Sequence, residues 1–141
     1  MIYNTRHFTF CITLFCISFL MPLLIFAQNK MEIEITKLNS NNGVVLLELL
    51  DENNRRVTGA EVEIENHTCV IIFKDIKSGT YAIKYFHDEN SNDVLDNNLM
   101  GIPKEGFGFS KNAYGMFGPK DLKFWLFDVS SDIKIKLIPK Y

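Results

Sequence analysis

Residues 79–101 read GTYAIKYFHDENSNDVLDNNLMG. The first half alternates. Tyr81, Ile83 and Tyr85 fall on one side, and Ala82, Lys84 and Phe86 on the other, the period of a strand with one buried face. The second half has no period and is dominated by Asp and Asn, which bond their own backbones and tolerate turns. The switch at His87 therefore reads as a strand delivering a polar loop.

Outward from this stretch, the strand half repeats. MEIEITKL (31–38) alternates, with Ile33 and Ile35 inward. NSNNG (39–43) is a turn whose Asn-Gly suits left-handed backbone. VVLLELL (44–50) is a short continuous apolar run, expected as a central strand. VTGAEVEIEN (57–66) places Val62 and Ile64 inward, and TCVIIF (68–73) is rich in β-branched residues. KDIKSG (74–79) is expected as a connection. LKFWLFDV (122–129) and DIKIKLIP (132–139) complete the series, the latter with Ile133, Ile135 and Leu137 inward. Beyond residue 27 no segment carries a helical period. Seven short strands with regular turns predict an all-β fold: a single antiparallel seven-stranded β-sandwich with one long loop.

The first 27 residues differ from the rest. A short polar lead with Arg6 precedes an almost wholly apolar run, residues 8–26, then Ala27 and polar residues. That is the layout of a secretory signal peptide, cut after Ala27, and it divides the chain into a leader (1–27) and one β-sandwich domain (28–141). Ile25 is bulky for the −3 position of such a cut. An uncleaved leader is the one route to a membrane, since its apolar run is about long enough to span a bilayer. Cys11 and Cys16 leave with the leader. Cys69 alone remains, so the domain is held by packing without an internal disulfide. The expected location is exported: periplasmic, outer-membrane-associated or secreted. The formal net charge is −2, with 15 basic and 17 acidic residues well mixed. No Lys/Arg stripe is available to neutralise phosphates, which argues against nucleic acid as a partner.

The loop carries a cation-ligand spacing. Asp88, Asn90, Asn92 and Asp96 stand at positions one, three, five and nine, and Val94 at seven offers a backbone carbonyl. Calcium takes six to eight oxygens of these kinds. Position six calls for positive φ, and Asp93, which stands there, is among the better non-glycine residues for it. The bidentate carboxylate that closes an EF-hand at position twelve is absent, because Leu99 is there; Asp93, Glu89 and Glu105 are the candidates to replace it. Two assured carboxylates imply weak affinity, about 10⁻⁴ to 10⁻³ M. The competing reading is a solvated turn whose Asp and Asn cap their own backbone.

Two resemblances follow from quoted residues. The run 44–86, through Gly59, Ala60, Val62, Phe73, Asp75, Ile76, Ser78, Gly79 and Tyr81, resembles the prealbumin-like or carboxypeptidase-regulatory-like β-sandwich, which implies an immunoglobulin- or transthyretin-like fold. The longer unit His87-Asp88-Glu89-Asn90, Leu95-Asp96, Gly101-Ile102-Pro103, Glu105-Gly106 and Gly108-Phe109-Ser110, followed by Phe117-Gly118-Pro119, closely resembles the domain of unknown function 2141, a family of exported bacterial proteins. The chain departs from that family's pattern at Asp93, where Gly is favoured, and at Lys120, where a second Pro is favoured. The resemblance implies a fold and an exported location but no activity.

The function expected from these readings is an exported binding or structural module with a weak calcium loop. The alternative is a carbohydrate- or peptide-binding domain, with His87, Glu105, Phe107, Phe109 and Tyr114 as ligand-binding residues on the glycine- and aromatic-rich segment that follows the loop. A third reading is a small hydrolase using His87, Asp88 and Glu105 as acid and base. No nucleophile elbow, HExxH or phosphate-cradling glycine loop is present, so catalysis is the less favoured class and no catalytic residue is assigned. The partner is expected to be a small molecule, glycan or protein, met by a monomer.

Overall fold

The computed structural model describes residues 28–115 and 118–141. The expected leader, with Cys11 and Cys16, and the aromatic Phe117 lie outside the described residues. Five long strands open the chain: β1 (Gln28–Thr36), β2 (Val44–Asp51), β3 (Arg56–Glu63), β4 (Thr68–Lys77) and β5 (Gly79–Asp88). Shorter pieces follow: β6 (Phe107–Phe109), β7 (Tyr114–Gly115), β8 (Gly118–Pro119), β9 (Phe127–Val129) and β10 (Ile133–Leu137). One sheet has the order β10-β1-β4. The other runs β3-β2-β5-β6, with β9 also paired to β5, and β7 and β8 form a small ribbon.

The alternation in the sequence becomes the core. Met31, Ile33 and Ile35 from β1, with Cys69 and Ile71 from β4, face Val45, Leu47 and Leu49 from β2 and Ile83 and Tyr85 from β5 in one buried cluster. Two sheets, each hydrophobic on one face, thus close on each other. Each fully buried aliphatic side chain contributes about 1.5–3 kcal/mol through removal from water. Cys69 belongs to this core, and burial pushes its thiol up to about 11, so it stays protonated and packs as a small apolar residue.

Three expectations are corrected. The sheets are not purely antiparallel: β10 runs parallel to β1, with Ile33 opposite Ile135 and Ile35 opposite Leu137. Side-chain alternation has period two whichever way the partner runs, so DIKIKLIP could not encode direction. The segment 122–129 is not one strand. Leu122–Phe124 forms a single 3₁₀ turn, and the Trp125 indole N–H donates to the Lys120 carbonyl at 2.9 Å. Trp125, Leu122 and Leu126 then pack over Leu50 and Ala82 in a second, smaller cluster, on the side of the five-stranded sheet away from the main core. Nor is 74–79 a connection. β4 continues to Lys77 through a bulge, with Asp75 at φ +62°. The extra residue shifts the phase, so the buried positions pass from odd Cys69 and Ile71 to even Ile76, and only Ser78 separates β4 from β5.

The parallel pair explains why β1 and β10 carry opposite charges. Glu32 and Glu34 stand opposite Lys134 and Lys136. Lys134 Nζ lies 2.8 Å from Glu32 and 3.6 Å from Glu34, and Lys136 Nζ 3.2 Å from Glu34. The hydrogen bond from Lys134 holds Glu32 below its ordinary value of 4.5, and the same contact holds Lys134 above 10.5. A lowered carboxylate contributes stability above its ordinary pKa that is lost as pH falls through the lowered one. A raised ammonium contributes below its ordinary pKa and loses that as pH rises. The double variant K134E/K136E is therefore expected to be less stable than the native chain near pH 7, by urea denaturation. The difference should shrink at about pH 3, where carboxylates protonate, and in about 1 M salt. In the core, Ile33→Ala should cost about 2–5 kcal/mol in the same measurement.

Candidate functional site

The loop begins where β5 ends, on two side chains that have no exposed surface, His87 and Asp88. His87 turns toward the 39–43 turn. Its Nε2 is 2.8 Å from the Asn42 carbonyl and its Nδ1 2.8 Å from the Tyr141 hydroxyl. A carbonyl only accepts, so Nε2 carries a hydrogen, and in the neutral ring Nδ1 then accepts from Tyr141. Tyr141 Oη in turn accepts the Asn39 amide at 2.9 Å. Burial pushes the Tyr141 phenol up, which keeps it a donor. Close approach requires glycine at two neighbouring places. A Cβ on Gly106 would run into the Tyr141 ring, and one on Gly43, already at φ +71°, would run into the Asp88 backbone carbonyl.

Asp88 faces the loop instead. Its Oδ1 accepts the Asn92 amide at 3.1 Å and its Oδ2 the Asp93 amide at 2.7 Å. Glu105, also buried, closes the loop from the far end: Oε1 accepts the Glu89 amide and Oε2 the Asp96 amide, both at 2.9 Å. Two buried carboxylates thus take up four backbone N–H groups that have no strand partner. Such charge-assisted bonds are roughly twice as strong as neutral ones, and without them the buried carboxylates would be costly.

Between these clamps lie the cation candidates. Asn90 Nδ2 donates to Asp96 at 2.8 Å, and Asn92 Nδ2 lies 3.5 Å from the other Asp96 oxygen. Asn92 Oδ1 accepts the Val94 amide at 2.9 Å. Asp93 has φ +62° and Ser91 φ +56°. Asn90, Asn92 and Asp96 therefore meet at one point, while Asp88 reaches the loop through its backbone amides. Among the described residues, no three of the His, Cys, Asp and Glu side chains form a metal-binding cluster.

The segment after the loop builds something else. Through β6, Phe107 stands opposite Phe86 and Phe109 opposite Lys84. Leu46 is opposite Phe86, and Glu48 opposite Lys84. These residues line a groove of about 640 Å³ on the outer face of the five-stranded sheet, bounded by Asp93 and Leu95 of the loop and by Gly59, Ala60 and Glu61 of β3. Half-buried Leu46, Phe86, Phe107 and Phe109 form its apolar part. Within it, Lys84 pairs with Glu48 at 2.7 Å, and Arg56 lies 3.8 Å from the same carboxylate. Phe107 packs edge-to-face on Phe109 and on Tyr114, each at 6.1 Å, and Phe109 meets Trp125 at 4.7 Å.

Of the five residues expected to touch a ligand, Phe107 and Phe109 line this groove and Tyr114 braces them. Its hydroxyl donates to the Ile138 carbonyl. His87 and Glu105 sit inside, with both ring nitrogens and both carboxylate oxygens engaged by the chain. They do not converge on a shared open space, the geometry an acid–base pair needs. Leu46, Phe86, Arg56, Glu48 and Lys84 were not among the expected site residues. Their signal is parity: in β5, Lys84 and Phe86 lie opposite the core side, and an outward Phe beside an outward Lys is unusual for a purely solvated face.

The family model for an uncharacterised protein conserved in bacteria, DUF2141, matches residues 33–136. The chain belongs to that family. No curated protein and no solved structure matches it.

The clamps predict specific losses. In Asp88→Asn, an amide hydrogen must face either the Asn92 or the Asp93 N–H, leaving a buried donor unpaired. The expected cost is about 1–3 kcal/mol in denaturant unfolding, with faster hydrogen exchange at those two amides. Tyr141→Phe removes the donor to His87 and the acceptor for Asn39, and should destabilise to a similar degree.

Proposed function

We propose that this family member is a non-enzymatic binding module that seats an apolar peptide segment in the groove of the five-stranded sheet. The observation that carries the reading is the division of labour around the loop. The ionisable side chains with catalytic potential are turned inward and saturated, while Leu46, Phe86, Phe107 and Phe109 are left half-covered in a concave space. Ligand sites are concave and mostly apolar, with a few placed polar groups; here those are Glu48, Lys84 and Arg56. A peptide is favoured over a sugar because the apolar lining of Leu46, Phe86, Phe107 and Phe109 suits apolar side chains more than a polyhydroxyl ring. We take the two packed sheets as a prealbumin-like sandwich, and the module as exported and acting in the periplasm, at the outer membrane or beyond. Support for the latter is the leader pattern of residues 1–27.

Trp125 is the single tryptophan and touches Phe109, which makes it a built-in reporter. Peptides with two or three consecutive apolar residues should shift its fluorescence, and Leu46→Asp should weaken that binding about tenfold or more, the effect of losing roughly 1.4 kcal/mol. Binding only to a glycan array would turn the reading toward carbohydrate; no response to either would end it.

A second reading concerns the loop, because Asn90, Asn92 and Asp96 converge. If the amide groups turn their oxygens inward, they and Asp96 offer a weak calcium site, with Asp88 and the Val94 carbonyl adjacent. At about 10 mM calcium and a Kd of about 10⁻⁴ to 10⁻³ M, linkage gives about 1.4–2.7 kcal/mol of added stability. Asp96→Ala should abolish it. An unchanged melting temperature in calcium would remove this reading and leave the groove untouched.

A further inference from the structure

We propose that the groove's occupant is the apolar turn 98–102 of a second copy of this chain, so that two copies dock by exchanging turns. The inference rests on the groove being a site for an apolar peptide segment, and it names that segment.

Leu99 and Met100 are almost wholly in solvent, at 108% and 82% relative exposure, and Ile102 is 56% exposed. They do not sit on a loose loop. Asn98 Oδ1 accepts the amides of Met100 and Ile102 at 2.9 and 3.0 Å. The Asn98 amide donates to the Ile102 carbonyl at 2.8 Å, and the Gly101 amide to the Asn98 carbonyl at 2.9 Å. Gly101, at φ +76°, supplies the left-handed step. Four hydrogen bonds therefore fix the backbone that carries three apolar side chains into the water. Presenting apolar groups in this way marks an interaction surface, and holding them rigid lowers the entropy lost on docking.

The same molecule carries a complement. Leu46, Phe86, Phe107 and Phe109 offer a concave apolar surface with room for several side chains. Charge agrees with this pairing. Lys104 is exposed at the root of the turn, and the groove's charged lining, Glu48, Glu61 and Asp93 against Arg56 and Lys84, leaves one net negative charge, with Glu61 and Asp93 exposed at its rim. Placement agrees as well. Leu95 lines the groove, and the turn begins three residues later, so projection and recess are neighbours on one loop. A twofold pair needs both halves of each contact on a single patch. One turn per copy is a small interface, so the pair should be weak and dependent on concentration.

Sedimentation equilibrium on the chain from Gln28 onward, which contains every described strand, tests this between about 1 µM and about 1 mM. The native chain should self-associate across that range. The variant L99D/M100D should associate at least tenfold more weakly with an unchanged unfolding midpoint, since both side chains are already in solvent. A peptide of residues 96–104, DNNLMGIPK, should compete with association and shift Trp125 fluorescence. A native chain that stays monomeric, or a variant that associates as the native chain does, overturns the proposal. So does binding of the turn to phosphatidylcholine vesicles in place of self-association. If other apolar peptides shift Trp125 and this one does not, the exchange falls and the groove reading stands. If no peptide does, both fall.

Discussion

A carboxylate without water must be surrounded by donors or it costs several kcal/mol. Asp88 satisfies that requirement with the amides of its own loop, and this dependence shapes the whole end of the sandwich. Once Asp88 is buried at the end of β5, the chain must curl so that Asn92 and Asp93 point back at it. Glu105 imposes the same demand from the other side on Glu89 and Asp96. The loop is thereby tied at four amides without a strand partner. Its outer wall, with Asp93 and Leu95, comes to stand beside the aromatic face of β6.

His87 extends the constraint in the opposite direction. Its ring joins the 39–43 turn to Tyr141, residues far apart in sequence, through one hydroxyl that donates to Nδ1 and accepts from Asn39. Lys140 pairs with Phe107 on both sides of the bridge, which holds β6 against the end of the chain. The groove, the loop and the chain's last residues are therefore mechanically one unit. A change at Tyr141 reaches the aromatic face through backbone already fixed at Gly106.

The polar residues of the loop serve packing in the first place. Asp88 and Glu105 have their oxygens committed to amides, so a ligand would have to compete with bonds that hold the fold. The surfaces proposed for recognition lie elsewhere: the outward residues of β2, β5 and β6, and the turn at Asn98. This separation between a saturated interior and an apolar rim is what favours a binding module over a hydrolase.

Much of the core is legible in the sequence. Alternation in 31–38 and 80–86 named the inward residues Ile33, Ile35, Ile83 and Tyr85, because a strand with one buried face has a period of two. Asp93 was legible as a left-handed position, and Cys69 as a core residue. Direction was not: Ile133, Ile135 and Leu137 alternate equally well beside a parallel or an antiparallel neighbour, and only the ladder between Glu32 and Lys134 fixed it. The bulge at Asp75 and the turn at Leu122 were hidden for a similar reason. A phase shift or a capping cluster depends on what lies across the sheet. By itself the sequence determined the inward faces of the first long strands and the position of the loop, since these follow from local periodicity and turn chemistry. The tertiary structure alone decided that His87 and Glu105 are sealed, that Tyr141 holds the His87 ring, and that Leu46 and Phe86 join Phe107 and Phe109 in one groove. Those are contacts between residues up to about a hundred positions apart, which no local period records.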